Sequence, residues 1–201
     1  DDPQMIAVAV RGMGKEGPFG SFCAGGDIRF FHQAALAGNP ELEDFFTEEY
    51  ALNHLIHTYP KPYIAFMDGI CMGGGMGISQ GASLRIVTER SKIAMPETGI
   101  GLFPDVGGGY FLSRCPGETG TYLGLTGARL KAADSLYAGV ATHLVPHGRV
   151  EQLIADLAAL DYGQNPHGAV NRVLAGVNTT AGEPPLAAQR ATIDRCFAGS
   201  S

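Results

Sequence analysis

Paired cysteines, basic runs and long apolar stretches are all missing from this chain of 201 residues. Cys23, Cys71, Cys115 and Cys196 lie far apart with no C-x-x-C pair, which argues against a thiolate zinc site or a disulfide frame. They read as reduced, mostly buried thiols of a cytosol-like compartment. Lys and Arg form no run and the net charge is -6, so no electrostatic footprint for nucleic acid is present. A phosphate-bearing ligand stays compatible with that balance, because backbone N–H groups and one or two local cations can hold one. No apolar run approaches about eighteen residues, so no membrane-spanning helix is expected. His143 and His147 are four apart, but Pro146 between them spoils the helix that a two-histidine metal face needs, and no metal is expected. The opening Asp1-Asp2-Pro3 does not read as a signal peptide.

What is present suits one sizeable core: 45% hydrophobic and only 17% charged residues, a balance that fits much buried or subunit-facing surface. Met5–Val10 reads as a buried strand and Arg11–Ser21 as a Gly-rich loop. Asp27 can N-cap a helix through Ile28, Phe31 and Leu36, which Gly38-Asn39-Pro40 breaks. Phe45, Leu52, Leu55 and Ile56 then recur at helical spacing until Pro60. Tyr63–Met67 reads as a strand, Asp68-Gly69 as a turn, and a helix should begin near Gly74. Ser83–Thr88, Lys92–Met95 and Ala141–Val145 are further strands. Gly107–Arg114, Gly117–Leu125, Ala132–Ala138 and Val150–Leu160 are helices, and a looser helical tail with Pro166, Pro184 and Pro185 follows. Strand, turn, helix and strand succeed one another at the spacing of βαβ units, so the expected class is an α/β layer fold.

Three segments carry the chemistry: Ser21–Ile28 (SFCAGGDI), Gly69–Gly77 (GICMGGGMG) and Ala94–Gly109 (AMPETGIGLFPDVGGG). Small residues in Phe22–Asp27 let backbone approach a ligand and leave the Gly26 N–H free to point into a pocket. Gly74, at a helix start, offers a second N–H strengthened by the helix dipole. Two such donors aimed at one thioester oxygen make an oxyanion hole. Glu97 and Asp105 follow on a Pro- and Gly-rich segment, where carboxylates can move protons or activate water. The plainer alternatives are a tight strand-to-helix turn for the glycines, a turn cap for Glu97 and a helix cap for Asp105.

In this order the three motifs resemble the enoyl-CoA hydratase/isomerase (crotonase) superfamily. Within it they look most like the 3-hydroxyisobutyryl-CoA hydrolases, as do EEY at Glu48–Tyr50, KPY at Lys61–Tyr63 and the later LTGARLK. The resemblance implies a crotonase-like spiral of ββα units, with residues 1–160 as its core and 161–201 as the start of a C-terminal helical region. It also implies that the family's N-terminal segment and most of its C-terminal helices lie outside this chain. It assigns the oxyanion hole to Gly26 and Gly74, catalysis to Glu97 and Asp105, and acyl-group binding to Glu49, which by sequence alone is an exposed helical acid. Hydratases of the superfamily carry a glutamate at the position matching Gly77, and the glycine here cannot exchange a proton. The implied reaction is therefore hydrolysis of a small branched 3-hydroxyacyl-CoA, as in valine degradation, with a hydratase or isomerase as runner-up.

The substrate contains CoA, and no separate cofactor is expected. Implied partners are the acyl-CoA alone, without nucleic acid or membrane, and possible further copies of the chain. The implied compartment is the cytoplasm, or the mitochondrial matrix if a transit peptide precedes the chain. Two other classes are weighed beside this one. Gly77-Ile78-Ser79-Gln80-Gly81 fits the G-x-S-x-G elbow of serine esterases, but Ser79 should fall inside a helix rather than at a strand-to-helix turn. A partial chain could also bind acyl-CoA without turning it over. Gly107-Gly108-Gly109 lacks the G-x-G-x-x-G spacing of a dinucleotide loop and no P-loop is present, so NAD and ATP are not expected.

Overall fold

The computed structural model describes Asp2, residues 4–14 and residues 20–199. The expectations for Asp1, Pro3, the middle of the Arg11–Ser21 loop at 15–19 and the chain end at 200–201 lie outside the described residues. Two parallel sheets organise the rest. The larger runs in the order β1 (Val8–Arg11), β3 (Tyr63–Phe66), β5 (Leu84–Val87), β7 (His143–Leu144). The smaller runs β2 (Ser21–Cys23), β4 (Ile70–Met72), β6 (Lys92–Ala94). Odd strands enter one sheet and even strands the other, so each turn of the chain lays one strand in each layer before its helices cross back. Parallel pairing demands such crossovers. The expected spiral of ββα units is the observed fold.

The central strand β3 is apolar on both faces, as a parallel strand covered on two sides must be, whereas edge strand β1 leaves Ala9 and Arg11 exposed. Along β3 and its end, Ile64 and Phe66 join one core cluster while Ala65 and Met67 join the other, the two-residue alternation of a strand. The first cluster lies among the two sheets and α3 (Gly74–Gln80). The second is closed by α7 (Val150–Ala158) and α8 (Pro166–Ala175), through Leu153, Leu157, Val170 and Leu174.

Two helices precede β3: α1 (Ile28–Ala37), N-capped by the Asp27 carboxylate as expected and ended by left-handed Gly38, and α2 (Glu41–His57). After β6 come a 3₁₀ turn at Glu97–Ile100 and three short helices, α4 (Gly108–Leu112), α5 (Thr119–Thr126) and α6 (Ala132–Tyr137). The helical tail resolves into α8 and α9 (Pro185–Phe197), and both are seated: Leu186 and Ile193 enter the first core cluster, and Asp194 accepts the backbone N–H of Glu118 at 2.9 Å.

The sequence reading misses β2 and β4. Each is three residues long and runs into glycine, too short for alternation to show, and each exists because its neighbour in the small sheet supplies hydrogen bonds. The expected strand at Ala141–Val145 shrinks to His143–Leu144, paired with Ile86 and Val87.

One contact fixes the distance between the small sheet and α3. A Cβ placed on Gly75 would lie 2.1 Å from the carbonyl oxygen of Cys23, the last residue of β2. Gly75→Ala should therefore lower stability by about 1–3 kcal/mol through overpacking, although alanine is favoured over glycine in a helix by about 1 kcal/mol. Gly109→Ala in α4, where nothing lies within 4 Å, should be neutral or stabilising. Urea unfolding of the two variants tests this, and a Gly75→Ala protein as stable as its parent would show that the spacing is set elsewhere.

Candidate active site

The site forms where the small sheet ends. Because β2 and β4 are parallel neighbours, their C-terminal turns, Ala24–Gly26 and Gly73–Gly74, sit side by side. Gly25 at φ 91 and Gly73 at φ 54 take left-handed backbone that favours glycine. The approach is tight: a Cβ on Gly74 would lie 3.2 Å from Gly25 Cα, and one on Gly25 would lie 3.2 Å from Gly74 N. Among the described residues neither Gly26 nor Gly74 donates its N–H to a hydrogen bond. Gly74 also heads α3, where the aligned peptide dipoles favour negative charge.

Carboxylates flank these turns on both sides. Glu49, on α2, brings Oε1 to 2.7 Å from where a Gly74 Cβ would stand. Glu97, at the start of the 3₁₀ turn after β6, brings Oε1 to 3.1 Å from the corresponding point on Gly73. Asp105 enters from the loop before α4 and accepts a 2.7 Å hydrogen bond at Oδ2 from the Tyr50 hydroxyl. All five residues singled out from the sequence, Gly26, Glu49, Gly74, Glu97 and Asp105, line one cavity of about 340 Å³. Its remaining wall is largely apolar, with Ile28, Phe31, Phe46, Ile100, Leu102 and Val106. Such a mix suits a short acyl chain ending in a polar group.

The plainer alternatives for the two acids do not describe their side chains. Glu97 is 5% exposed, and among the described residues neither of its carboxylate oxygens has a hydrogen-bond partner. Asp105 gives no side-chain cap to α4, whose N-cap is Gly107, and its carboxylate is turned to Tyr50 instead. Glu48 is exposed, whereas Glu49, which sequence alone would leave exposed, turns inward.

Charge is concentrated here at low solvation. Burial pushes the Glu97 carboxyl above its ordinary range and the charge of Asp105 adds to this. The dipole of Glu97's own N–H, which does not meet hydrogen-bond geometry, offsets part of it. Glu49 is raised by burial first and by Asp105 second. The Tyr50 hydroxyl is raised by burial and by its bond to Asp105, so at neutral pH it remains a donor.

Tyr50, bonded to Asp105, is the neighbour of the site that reading the residues misses. Its sequence signal is faint: adjacency to Glu49 in EEY, which gains meaning only once α2 is known to lie over the glycine turns. Val106, next to Asp105, holds φ 43, a left-handed conformation that a β-branched residue adopts at a cost.

The serine-esterase arrangement is absent among the described residues. Ser79 lies inside α3, fully buried, and donates to Met76 O at 3.3 Å. His143 contacts the Thr142 hydroxyl, and His147 bridges Asp68 and Arg90. No cluster of three or more metal-ligating side chains occurs among the described residues, and no helix is long and apolar enough to cross a membrane.

A sequence profile of the enoyl-CoA hydratase/isomerase family matches residues 1–201. The chain belongs to that family. It is 52% identical over 160 residues to the mitochondrial 3-hydroxyisobutyryl-CoA hydrolase of Xenopus tropicalis and 48% over 159 residues to that of Homo sapiens. Those alignments take in 80% and 79% of this chain and 40% of each relative, so the chain spans well under half the length of the curated relatives it matches. Among solved structures it resembles a carnitinyl-CoA dehydratase of Mycobacterium thermoresistibile at 41% identity and TM-score 0.87. An enoyl-CoA hydratase of Rhodobacter sphaeroides 2.4.1 matches at 42% and 0.84. The two likenesses cover 100% and 99% of this chain but 56% and 55% of those chains. The relatives' names thus divide between hydrolase and hydratase or dehydratase.

The raised Glu97 has a consequence for stability. A carboxyl with a folded pKa above its unfolded value binds its proton more tightly when folded. Its ionised form therefore destabilises the fold, beginning above the unfolded value near 4.5 and growing until pH exceeds the folded pKa. Glu97→Gln should raise the melting temperature at pH 7, by roughly 2–4 °C for each kcal/mol relieved in a chain of this size. The gain should vanish below about pH 4.5. Melting curves across pH 4–8 check this, and an equal effect at every pH would contradict an electrostatic origin.

Proposed function

We propose that this site hydrolyses an acyl-CoA thioester, with 3-hydroxyisobutyryl-CoA or a close relative as substrate. One observation supports hydrolysis over hydration most directly. A Cβ on Gly77 would lie 2.7 Å from Val106 Cβ and 2.9 Å from Asn53 Oδ1, so the next turn of α3 has no room for an acidic side chain. Proton traffic falls to Glu97 and Asp105. Close relatives named hydrolases at 48–52% identity favour the same reading.

In this mechanism the thioester oxygen sits between the N–H groups of Gly26 and Gly74. Glu97, whose carboxylate has a heightened affinity for protons and no competing partner, takes a proton from water as the water oxygen attacks the carbonyl carbon. Negative charge moves to the former carbonyl oxygen and is held by the two N–H donors. Collapse of this tetrahedral species breaks the C–S bond, and the proton passes from Glu97 to the thiolate, giving the carboxylic acid and free CoA. Asp105, fixed by Tyr50, orients the water and raises the basicity of Glu97. Glu49 accepts the hydroxyl hydrogen of the acyl group.

Hydration is the second reading, because the solved relatives at 41–42% identity carry hydratase or dehydratase names. The two readings separate in one assay. We expect free thiol from 3-hydroxyisobutyryl-CoA and little loss of the crotonyl-CoA chromophore. Chromophore loss without thiol release would instead establish hydration, and binding of CoA without either would indicate a non-catalytic chain.

Glu97→Gln and Asp105→Asn should each lower kcat by about 10². The residual activity of Asp105→Asn should have its acid limb at lower pH, because removing the Asp105 charge removes one of the influences that raise Glu97. An unshifted limb would leave Asp105 without influence on the base.

A further inference from the structure

α2 and α3 lie against each other along a row of glycines. A Cβ on Gly74 would meet Glu49, one on Gly77 would meet Asn53, and one on Gly81 would meet the backbone of His57. Two chambers follow one another along this seam. The acyl cavity takes in Glu49 and Gly74; a second, of about 290 Å³, takes in Asn53, His57, Gly77 and Gly81 further along both helices. Among the described residues only Val106 lines both. Its Cβ lies 2.7 Å from where a Gly77 Cβ would stand, so the valine side chain fills the gap that α3 leaves there.

Val106 holds this place at a cost. Its φ of 43 is left-handed backbone, which glycine adopts freely and a β-branched residue does not. Gly107, the next residue, is left-handed too at φ 85. The turn by itself would favour glycine at both positions, so the isopropyl group at 106 is kept for what it touches. What it touches is the first core cluster and the boundary of both chambers.

On the reading of this cavity as an acyl-CoA site, we propose that Val106 is the specificity residue that ends the acyl pocket and confines substrates to short, compact acyl chains. In the mechanism above the carbonyl is anchored at Gly74, and Gly77 lies three residues on, roughly 4.5 Å along the helix. A branched four-carbon group lies short of that boundary. A straight chain of six or more carbons that follows the seam meets the valine methyls before it reaches the second chamber. Tyr110, Phe111 and the glycine backbone line the space beyond, which suits further methylenes. Room for a longer chain therefore exists behind the wall, and one side chain closes it off.

The test uses Val106→Ala and Val106→Gly, with Leu123→Val as a change in the same core cluster that lines neither chamber. Thiol release is measured on 3-hydroxyisobutyryl-, hexanoyl- and octanoyl-CoA, and calorimetry gives the affinities of the S-butyl, S-hexyl and S-octyl thioethers of CoA. In the parent, affinity should stop rising beyond the butyl thioether. In Val106→Ala it should rise about tenfold from butyl to hexyl, since each further methylene buried is worth about fourfold. The kcat/KM for hexanoyl-CoA relative to 3-hydroxyisobutyryl-CoA should rise by at least as much, chiefly through KM. Glycine suits the backbone at 106, so Val106→Gly carries the test if the alanine variant fails to fold. Parent affinity that climbs steadily to the octyl thioether, or folded Val106 variants with an unchanged length preference, overturns the proposal. An equal gain in Leu123→Val also overturns it, because the effect is then a loosened core. A parent that releases no thiol from any ester defeats the hydrolase reading alone, since the thioether affinities still decide whether Val106 ends the pocket. Thioethers that bind neither parent nor variants overturn both.

Discussion

Everything at this site depends on how closely the end of β2 can approach the head of α3. That distance is set by hydrogen atoms where side chains would normally be. With a methyl at position 75, the helix would collide with the carbonyl of Cys23; with one at 25 or 74, the two turns would be forced apart. On the proposed mechanism the backbone N–H groups of Gly26 and Gly74 share one ligand atom, which requires these two turns to lie close together. Glycines carry an entropic cost in the unfolded chain, and the two core clusters around α3 and the sheets offset it. The stable part of the molecule thus holds an unstable arrangement in place.

The same economy governs charge. Glu49, Glu97 and Asp105 are all acids, two of them with raised proton affinity, and among the described residues no basic side chain lines their cavity. A stability-optimised protein would pair or remove them. Here the compensation is a neutral donor, Tyr50, on one acid and the helix dipole nearby, which leaves Glu97 without a partner among the described residues. Electrostatic strain and the left-handed Val106 fall on the same few residues, which is where function, not folding, should be sought.

Much of this was legible before any coordinates. The buried strands β3, β5 and β6 and the long helices follow from apolar periodicity, and Asp27 and Gly38 bound α1 as a capping residue and a left-handed stop should. The three motifs named four residues, and the family resemblance a fifth, Glu49, that prove to line one cavity. What could not be read were features that exist only between distant segments. β2 and β4 are strands because each has a neighbour, not because three residues alternate. That Tyr50 meets Asp105 and Asn53 meets Gly77 follows from the rotation of α2 about its axis. Because 45–56 carry apolar and polar residues on more than one face, the helical period alone does not say which face meets α3.

The packing around position 77 shows why reaction class in such a fold is not a matter of exchanging one side chain. Adding a glutamate there would require Asn53 to retreat and Val106 to move, and Val106 cannot move without changing the strained backbone that presents Asp105. Moving Asp105 would in turn break its bond to Tyr50 and alter the field at Glu97. Position 77, α2 and the Asp105 loop therefore form one coupled unit. A side chain at 77 and Val106, the neighbour of Asp105, compete for the same space, so on the proposed reading a second acid on α3 is excluded by the packing that presents Asp105.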